Sequence, residues 1–342
     1  LPHSFILVDE ASMLDTDIMF SLLAARAPGT HIIFVGDTNQ LPPVGHGAPL
    51  RDFIMAGVPH GQLTEIQRNS GQIVKTCAEI VEKRRFTASD RIDVEEGKNL
   101  KVSAFHTPES QIEYLLDSLP ILERRWGVDP VWGCQVLVAV NANSPLARKG
   151  LNMTLQELLN PNGKQVKESP FRRGDKIICT KNKEFPALDA NGGETHFVAN
   201  GEMGEVIEVE EKRTMVRLTS PDRMIIVPRG TNDDADDGEE STGTGCDWEL
   251  GYAISAHKSQ GSEWPIVFVM LDEYSGARMV MSRQWLYTAI SRAKLFCVCI
   301  GKKSVADACC QRDSLFKRKT FLRELILEPQ LAVFDDLFTE AV

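Results

Sequence analysis

No apolar run among the 342 residues approaches the ~18 to 20 that crossing a bilayer needs, and Leu1-Pro-His-Ser-Phe5 has neither the basic nor the apolar region of a secretory leader. A cytoplasmic location is the expectation. The eight cysteines include no CxxC pair, which argues against structural zinc. Cys297 and Cys299 fall in a strand-like run, where a free thiol packs as a small apolar side chain. Lys and Arg are missing from 231–250, which instead holds Asp233, Asp234, Asp236, Asp237, Glu239, Glu240, Asp247 and Glu249, so most of the net charge of −10 is confined there. Rich in Gly, Ser and Thr, this stretch reads as a solvated flexible loop. The remainder is nearly neutral and leaves room for a local basic groove. Short-period repeats are lacking, and the chain opens on Leu rather than Met, which fits a fragment or a processed product.

What is present is an apolar content of 42%, enough for a sizeable core in two or three domains. Ser4-Phe-Ile-Leu-Val8 is a short apolar run ending in Asp9-Glu10, as expected of a parallel strand buried on both faces with polar residues at its carboxyl edge. A helix over about Thr16–Arg26, a Pro28-Gly29 break and a second strand, His31–Val35, follow, and Gly36-Asp37 then reaches the same edge. A helix over about Gly71–Lys83, apolar at Ile73, Val74, Cys77, Ile80 and Val81, would close this unit. Alternation resumes with strands Val102–Phe105 and Gln135–Val140 and helices within Glu109–Trp126 and Leu151–Leu159. From Gly174 to Val227 the pattern changes to short β runs, as in a small barrel. After the acidic stretch come a helix near Ser255, a strand Pro265–Met270, a helix over Arg283–Arg292 and a strand Leu295–Ile300.

An Asp at a buried strand end can hold a nucleotide's magnesium, and an adjacent Glu can orient and deprotonate the attacking water. By itself Asp9-Glu10 is also an ordinary strand end. Gly36-Asp37-Thr38-Asn39-Gln40-Leu41-Pro42-Pro43-Val44, at the tip of the next strand, places a second polar group at the same edge, where ligands bind to open α/β sheets.

At these residues a resemblance becomes specific. Val8-Asp9-Glu10-Ala11-Ser12 resembles motif II, and Gly36–Val44 motif III, of RecD-like helicases of superfamily 1. Leu63-Thr-Glu-Ile-Gln-Arg-Asn-Ser70 is similar to motif IV, Ser255-Ala-His-Lys-Ser-Gln-Gly-Ser-Glu-Trp264 to motif V, and Trp285-Leu-Tyr-Thr-Ala-Ile-Ser-Arg-Ala-Lys294 to motif VI. Five motifs in family order cover most of the chain. The resemblance implies an α/β fold of two RecA-like P-loop NTPase domains: 1–88 as the later part of the first, 89–170 and 246–342 as the second, and 171–245 as an inserted SH3-like β-barrel with the acidic loop. Arg173–Asn182 and Asn200–Gly204 resemble the borders of that insert.

By the same resemblance ATP sits between the domains with Mg2+ on Asp9. Glu10 activates water, Gln40 senses the γ-phosphate, and Arg68 and Arg292 reach across the cleft. Gly261 and Glu263 lie near the nucleotide. Thr38, Asn39 and Pro42 approach the bases, where a stacking or wedge role is open, and Ser255, His257 and Lys258 face nucleic-acid phosphates. His257 fits a structural role at a helix end equally well. Trp264 and Trp285 sit in apolar patterns and read as core. The implied partner is single-stranded DNA or a single/double-strand junction, with 5′ to 3′ movement, a monomeric motor, and repair, recombination or replication as its setting. The acidic stretch could then mimic nucleic acid over an empty groove.

The chain departs from that family in two respects. No GxxxxGK[ST] loop occurs, since Gly301-Lys-Lys-Ser304 lacks the earlier glycine. The expectation is a motor portion that needs a phosphate loop from upstream and is inactive alone. Motif IV also reads Arg68-Asn69 where relatives often carry Arg-Gln. The competing expectation is a non-catalytic strand-binding subunit of a helicase or nuclease complex.

Overall fold

The computed structural model describes residues 1–63, 70–167, 169–188, 193–228, 247–315, 318 and 320–328. Strand β1 (Phe5–Val8) runs parallel to β2 (His31–Phe34), with Phe5 opposite His31 and Val8 opposite Phe34. Helix α1 (Thr16–Ala25) crosses between them and starts where Asp15 Oδ1 accepts from Ile18 N at 2.8 Å. These strands are not buried on both faces as expected. Phe5, Leu7 and Ile33 are exposed, while Ile6, Val8, Ile32 and Phe34 are half-buried. The described residues put two strands in this sheet and cover one face. There α2 (Pro49–Met55) brings Phe53 to 5.5 Å from Phe34.

The helix expected to close this unit, α3 (Gly71–Glu82), packs elsewhere. Its Ile73, Cys77 and Ile80 share a buried cluster with Leu100, Trp285, Leu286 and Ala289, and Asn99 caps it by accepting from Ile73 N at 3.0 Å. It therefore lies on the second sheet. The chain continues through β3 (Leu100–Ser103), α4 (Pro108–Ser118), α5 (Ile121–Trp126), β4 (Cys134–Val138) and α6 (Arg148–Leu159).

Next come seven strands: β5 (Lys176–Cys179), β6 (Lys183–Pro186), β7 (Thr195–Val198), β8 (Met203–Val209), β9 (Arg213–Thr219), β10 (Asp222–Pro228) and β11 (Trp248–Leu250). Five form an antiparallel sheet in the order β10-β9-β8-β5-β11, while β6 and β7 pair as a hairpin bridged to β10 through Ala187 and Ile225. The bulk of the acidic stretch lies outside the described residues. Its last members do not behave as a solvated loop: Asp247 pairs with Lys183 at 3.1 Å, and Glu249, within β11, meets the buried Arg148.

Then follow β12 (Ala253–Ser255), β13 (Trp264–Met270), α7 (Ser275–Val280), α8 (Arg283–Ile290), β14 (Ala293–Ile300), α9 (Lys303–Cys310) and α10 (Leu322–Leu327). A parallel sheet forms in the order β12-β4-β13-β14-β3, so the antiparallel strands lie in sequence between β4 and β12 of this sheet. Ser255 ends a strand rather than sitting near a helix, because Ala253–Ser255 pairs with Val136–Val138. The central β13 and β14 are nearly continuous apolar runs covered on both sides, which makes Cys297, Cys299 and Trp264 core residues as expected, and Trp285 on α8 is buried in the same core. Lys176 ties the two sheets. Fully buried in β5, it donates to Val131 O at 2.8 Å and Cys134 O at 3.2 Å. Among the described residues no helix is long and apolar enough to cross a membrane.

Candidate functional site

The carboxyl tips of β1 and β2 stand side by side. Ala11 N donates to Val35 O at 2.8 Å, and a Cβ on Gly36 would lie 2.8 Å from Ser12 N, so glycine permits the turn after β1 to lean on the end of β2. Asp9 is exposed, and its Oδ1 accepts from Glu10 N at 2.8 Å. Glu10 adopts φ 50, a left-handed backbone that non-glycine residues seldom hold and that recurs where function fixes it. Asp9 and Glu10 are thereby presented at one edge. Among the described residues no group of three His, Cys, Asp or Glu could hold a metal ion unaided. A magnesium at Asp9 would be one carried with phosphates, consistent with how that ion uses one or two carboxylates and keeps water.

Motif III is fastened by three hydrogen bonds, two with α8 and one with Arg292 just after it. Tyr287 Oη donates to Asp37 Oδ2 at 2.8 Å, Leu41 N donates to Thr288 Oγ1 at 2.8 Å, and Arg292 Nη2 donates to Gln40 Oε1 at 3.1 Å. Gln260 adds a fourth link by donating to Leu41 O at 3.2 Å. Arg292 is 2% exposed. Its remaining donors reach Thr288 O at 3.1 Å and Ser262 O at 3.3 Å. Gln40, Arg292 and the Gly261–Glu263 turn therefore converge. Gly261 has φ 75, with open space where a Cβ would be, and Glu263 pairs with Lys294. The Arg292 guanidinium and the Gln40 amide thus meet beside the Gly261–Glu263 turn, already bonded to one another.

Ser255 ends β12, His257 and Lys258 follow it, and all three are half-buried. Burial, then the nearby Arg318 guanidinium, holds His257 below its ordinary value, so at neutral pH it is an uncharged donor or acceptor. Burial likewise lowers Lys258, against the pull of Glu249, whose carboxylate lies 3.8 Å from its Nζ. Thr38 and Asn39 are half-buried on the motif III turn.

Pro42 does not present its ring as a wedge. Both Pro42 and Pro43 are buried, because Leu315, Arg51 and Leu50 close around them, whereas Val44 projects with 86% exposure. Arg68 and the rest of 64–69 lie outside the described residues. Tyr287, Thr288, Gln260 and Ser262 were missed as site residues although each stands inside a quoted motif. Only their partners, far away in sequence, reveal them.

The geometry can be set beside known proteins. Residues 2–96 match the model of an AAA domain, and residues 250–299 match that of a UvrD-like helicase C-terminal domain. The ATP-dependent RecD2 DNA helicase of Deinococcus radiodurans is 31% identical over 301 residues, covering 86% of this chain and 36% of the relative. The RecBCD enzyme subunit RecD of Mycobacterium tuberculosis is 26% identical over 316 residues, 92% of this chain and 52% of the relative. The chain thus spans about a third to a half of these curated relatives. Among solved structures, a Bacteroides Pif1 helicase in complex with ADP-AlF3 and ssDNA aligns with 18% identity and a TM-score of 0.47, covering 86% of this chain and 70% of that one.

Proposed function

We infer that this chain, which belongs to the RecD-like branch of superfamily 1 helicases, is a portion of an ATP-driven motor that moves along single-stranded DNA. The observation that carries the reading is the hydrogen bond from Arg292 to Gln40, which links motif VI on the second parallel sheet to the turn after β2 in the first. A residue that meets the nucleotide and a residue on the path of the strand share one turn. A change at one is therefore felt at the other.

In this reading Glu10 accepts the proton of the attacking water, and Asp9 holds the magnesium that accompanies ATP. Gln40 and Arg292 meet the terminal phosphate once Arg292 exchanges its bond to Gln40 for a phosphate oxygen, and its guanidinium then neutralises developing charge, with Arg68 as the second such group. Gly261 and Glu263 line the nucleotide's side of the cleft. Bound with Mg2+, ATP would supply free energy through hydrolysis by water to ADP and phosphate. Thr38, Asn39, Ser255, His257 and Lys258 face the strand, and 5′ to 3′ movement is the polarity proposed. We keep the SH3-like barrel reading for the antiparallel sheet, as a guide for the strands.

No GxxxxGK[ST] sequence is present in the 342 residues, so turnover calls for a phosphate-binding loop from another segment. The uncovered apolar face formed by Phe5, Leu7 and Ile33 is a surface on which such a segment would pack. The test is strand-stimulated ATP hydrolysis by a protein that joins this chain to its phosphate-binding segment, beside Glu10→Gln and the 342-residue chain. Turnover by the first, with both controls silent, supports the motor. DNA binding without turnover by any of them replaces it with a non-catalytic strand-binding subunit.

A further inference from the structure

The loop that follows motif III is held from two sides. On one, Thr16 N donates to His46 O at 2.9 Å, and the absence of a side chain at Gly45 lets the loop lie against the Asp15 carboxylate, where a Cβ would collide. On the other stands Arg318. Its Nη1 donates to Gly45 O and, at 3.0 Å, to Gly47 O, while its Nη2 donates to Pro43 O. One planar guanidinium thus bonds three backbone carbonyls spaced along five residues.

The backbone that carries Arg318 is itself anchored to both units. Arg51 Nη1 donates to Leu315 O at 2.6 Å and to Arg318 O at 3.1 Å, and Thr320 Oγ1 donates to Asp52 Oδ2 at 2.6 Å, where Asp52 is 3% exposed. A few residues earlier, Asp313 accepts from Arg283 at 2.6 Å and from Gln284 at 2.7 Å, both on α8. Arg318 therefore stands between the helix of motif VI and the loop of motif III. Burial, then the Arg51 charge, lowers its pKa from a high starting value, opposed by Asp15.

We propose that Arg318 is a positioning residue for strand binding: it splints Pro43–Gly47 so that the exposed Val44 tip and the Thr38–Leu41 turn hold one geometry toward the strand. The inference rests on the motor reading for what the loop contacts, but not for the splint. Three of the five guanidinium N–H donors of Arg318 hold carbonyls of the loop, and the role proposed is to act through that loop rather than as a phosphate contact.

The experiment compares the full chain with Arg318→Ala and Arg318→Lys by amide exchange and by anisotropy with a labelled single-stranded oligonucleotide. Thr16 N is the first N–H of α1, so its protection comes from His46 O alone. In both variants its exchange should accelerate while amides of β13 and β14 stay protected, which rules out general unfolding. Strand affinity should fall on the order of tenfold in both, as displaced contact groups imply, with an unchanged slope of log Kd against log salt. A lysine cannot bridge three carbonyls, so it should not rescue. Rescue by lysine with a salt slope lowered by about one in Arg318→Ala would identify a direct phosphate contact instead and overturn the proposal. Unchanged Thr16 exchange would overturn it too. Wild-type chain that ignores the oligonucleotide would sink the motor reading, while the exchange arm still decides the splint.

Discussion

Tyr287 donates its phenolic hydroxyl to Oδ2 of Asp37 across 2.8 Å, and Oδ1 of the same carboxylate accepts from Asn39 N at 2.8 Å. One carboxylate thereby shapes the motif III turn and holds it to α8. Burial, then the Asp37 charge, pushes the phenol's pKa up, so the donated proton stays in place across the working range. Tyr287→Phe keeps the ring and deletes the link. A stability loss of about 1 kcal/mol is expected. In the complete motor, strand-stimulated ATP hydrolysis should fall more than the strand-free rate. Equal falls in the two rates would reduce Tyr287 to packing.

Arg292 makes a different kind of demand, because its donors reach Gln40 Oε1, Thr288 O and Ser262 O at once. Lysine keeps the charge but has neither the fork nor the reach. Arg292→Lys in the complete motor should lower single-turnover hydrolysis on the order of a thousandfold, the usual cost of losing such a group, while leaving strand affinity close to wild type. Retention of more than about a tenth of the rate would move Arg292 from the reaction to the frame.

These relationships were partly legible in the sequence. The β13 and β14 runs, the break at Pro28-Gly29 and the short β runs of 174–227 followed from periodicity, because burial on both faces or on one face leaves a direct imprint on residue order. The two-stranded start misled for a physical reason. Phe5-Ile-Leu-Val8 has the composition of a covered strand, but the described residues cover only its other face. That α3 packs against the helices of the second sheet was not legible, because its apolar stripe suits either sheet and its contacts with Asn99 and Trp285 are long-range. A helix is the expectation near Ser255, and the pairing of Ala253–Ser255 with β4 that replaces it is a long-range fact. Arg318 had no local signal at all: its acceptors are carbonyls some 270 positions earlier, at Pro43, Gly45 and Gly47.

Pro42 and Val44 separate stability from strand contact. Pro42 is buried beneath Leu315 and Arg51, while Val44 is 86% exposed on the same loop. Val44→Ala should leave the unfolding midpoint unchanged, within the ~0.5 kcal/mol usual for surface substitutions. It should nevertheless weaken single-strand binding by about 1 kcal/mol, the order of the aliphatic contact area that the truncation removes. Pro42→Ala should do the reverse, destabilising the loop with a smaller direct effect on binding. Urea titration and anisotropy on the same two variants check both halves. Val44→Ala with wild-type affinity would return the contact to another part of the turn.

Lys176 gives a prediction whose sign depends on pH. Burial lowers its pKa to about 8, with Cys134 and Asp129 pulling the other way, whereas the unfolded chain holds the proton to the ordinary 10.5. Between about pH 8 and 10.5 the unfolded state therefore binds more protons, and stability from this group rises with pH. Below about 8 both states are protonated, and the full cost of the buried charge is felt. Lys176→Met fills similar space without a charge, but leaves Val131 O and Cys134 O without this donor. Its stability can lie near wild type at pH 7.5, since the relieved desolvation and the lost hydrogen bonds oppose each other. The difference between the two proteins is the sharper quantity, because their shared titrations cancel. Wild type should gain on Lys176→Met between pH 7.5 and 9.5 in urea unfolding. Parallel pH profiles would mean that Lys176 keeps its proton in the fold, with the carbonyls and the rings of Trp132 and Trp264, at 5.5 Å and 6.0 Å, offsetting the desolvation.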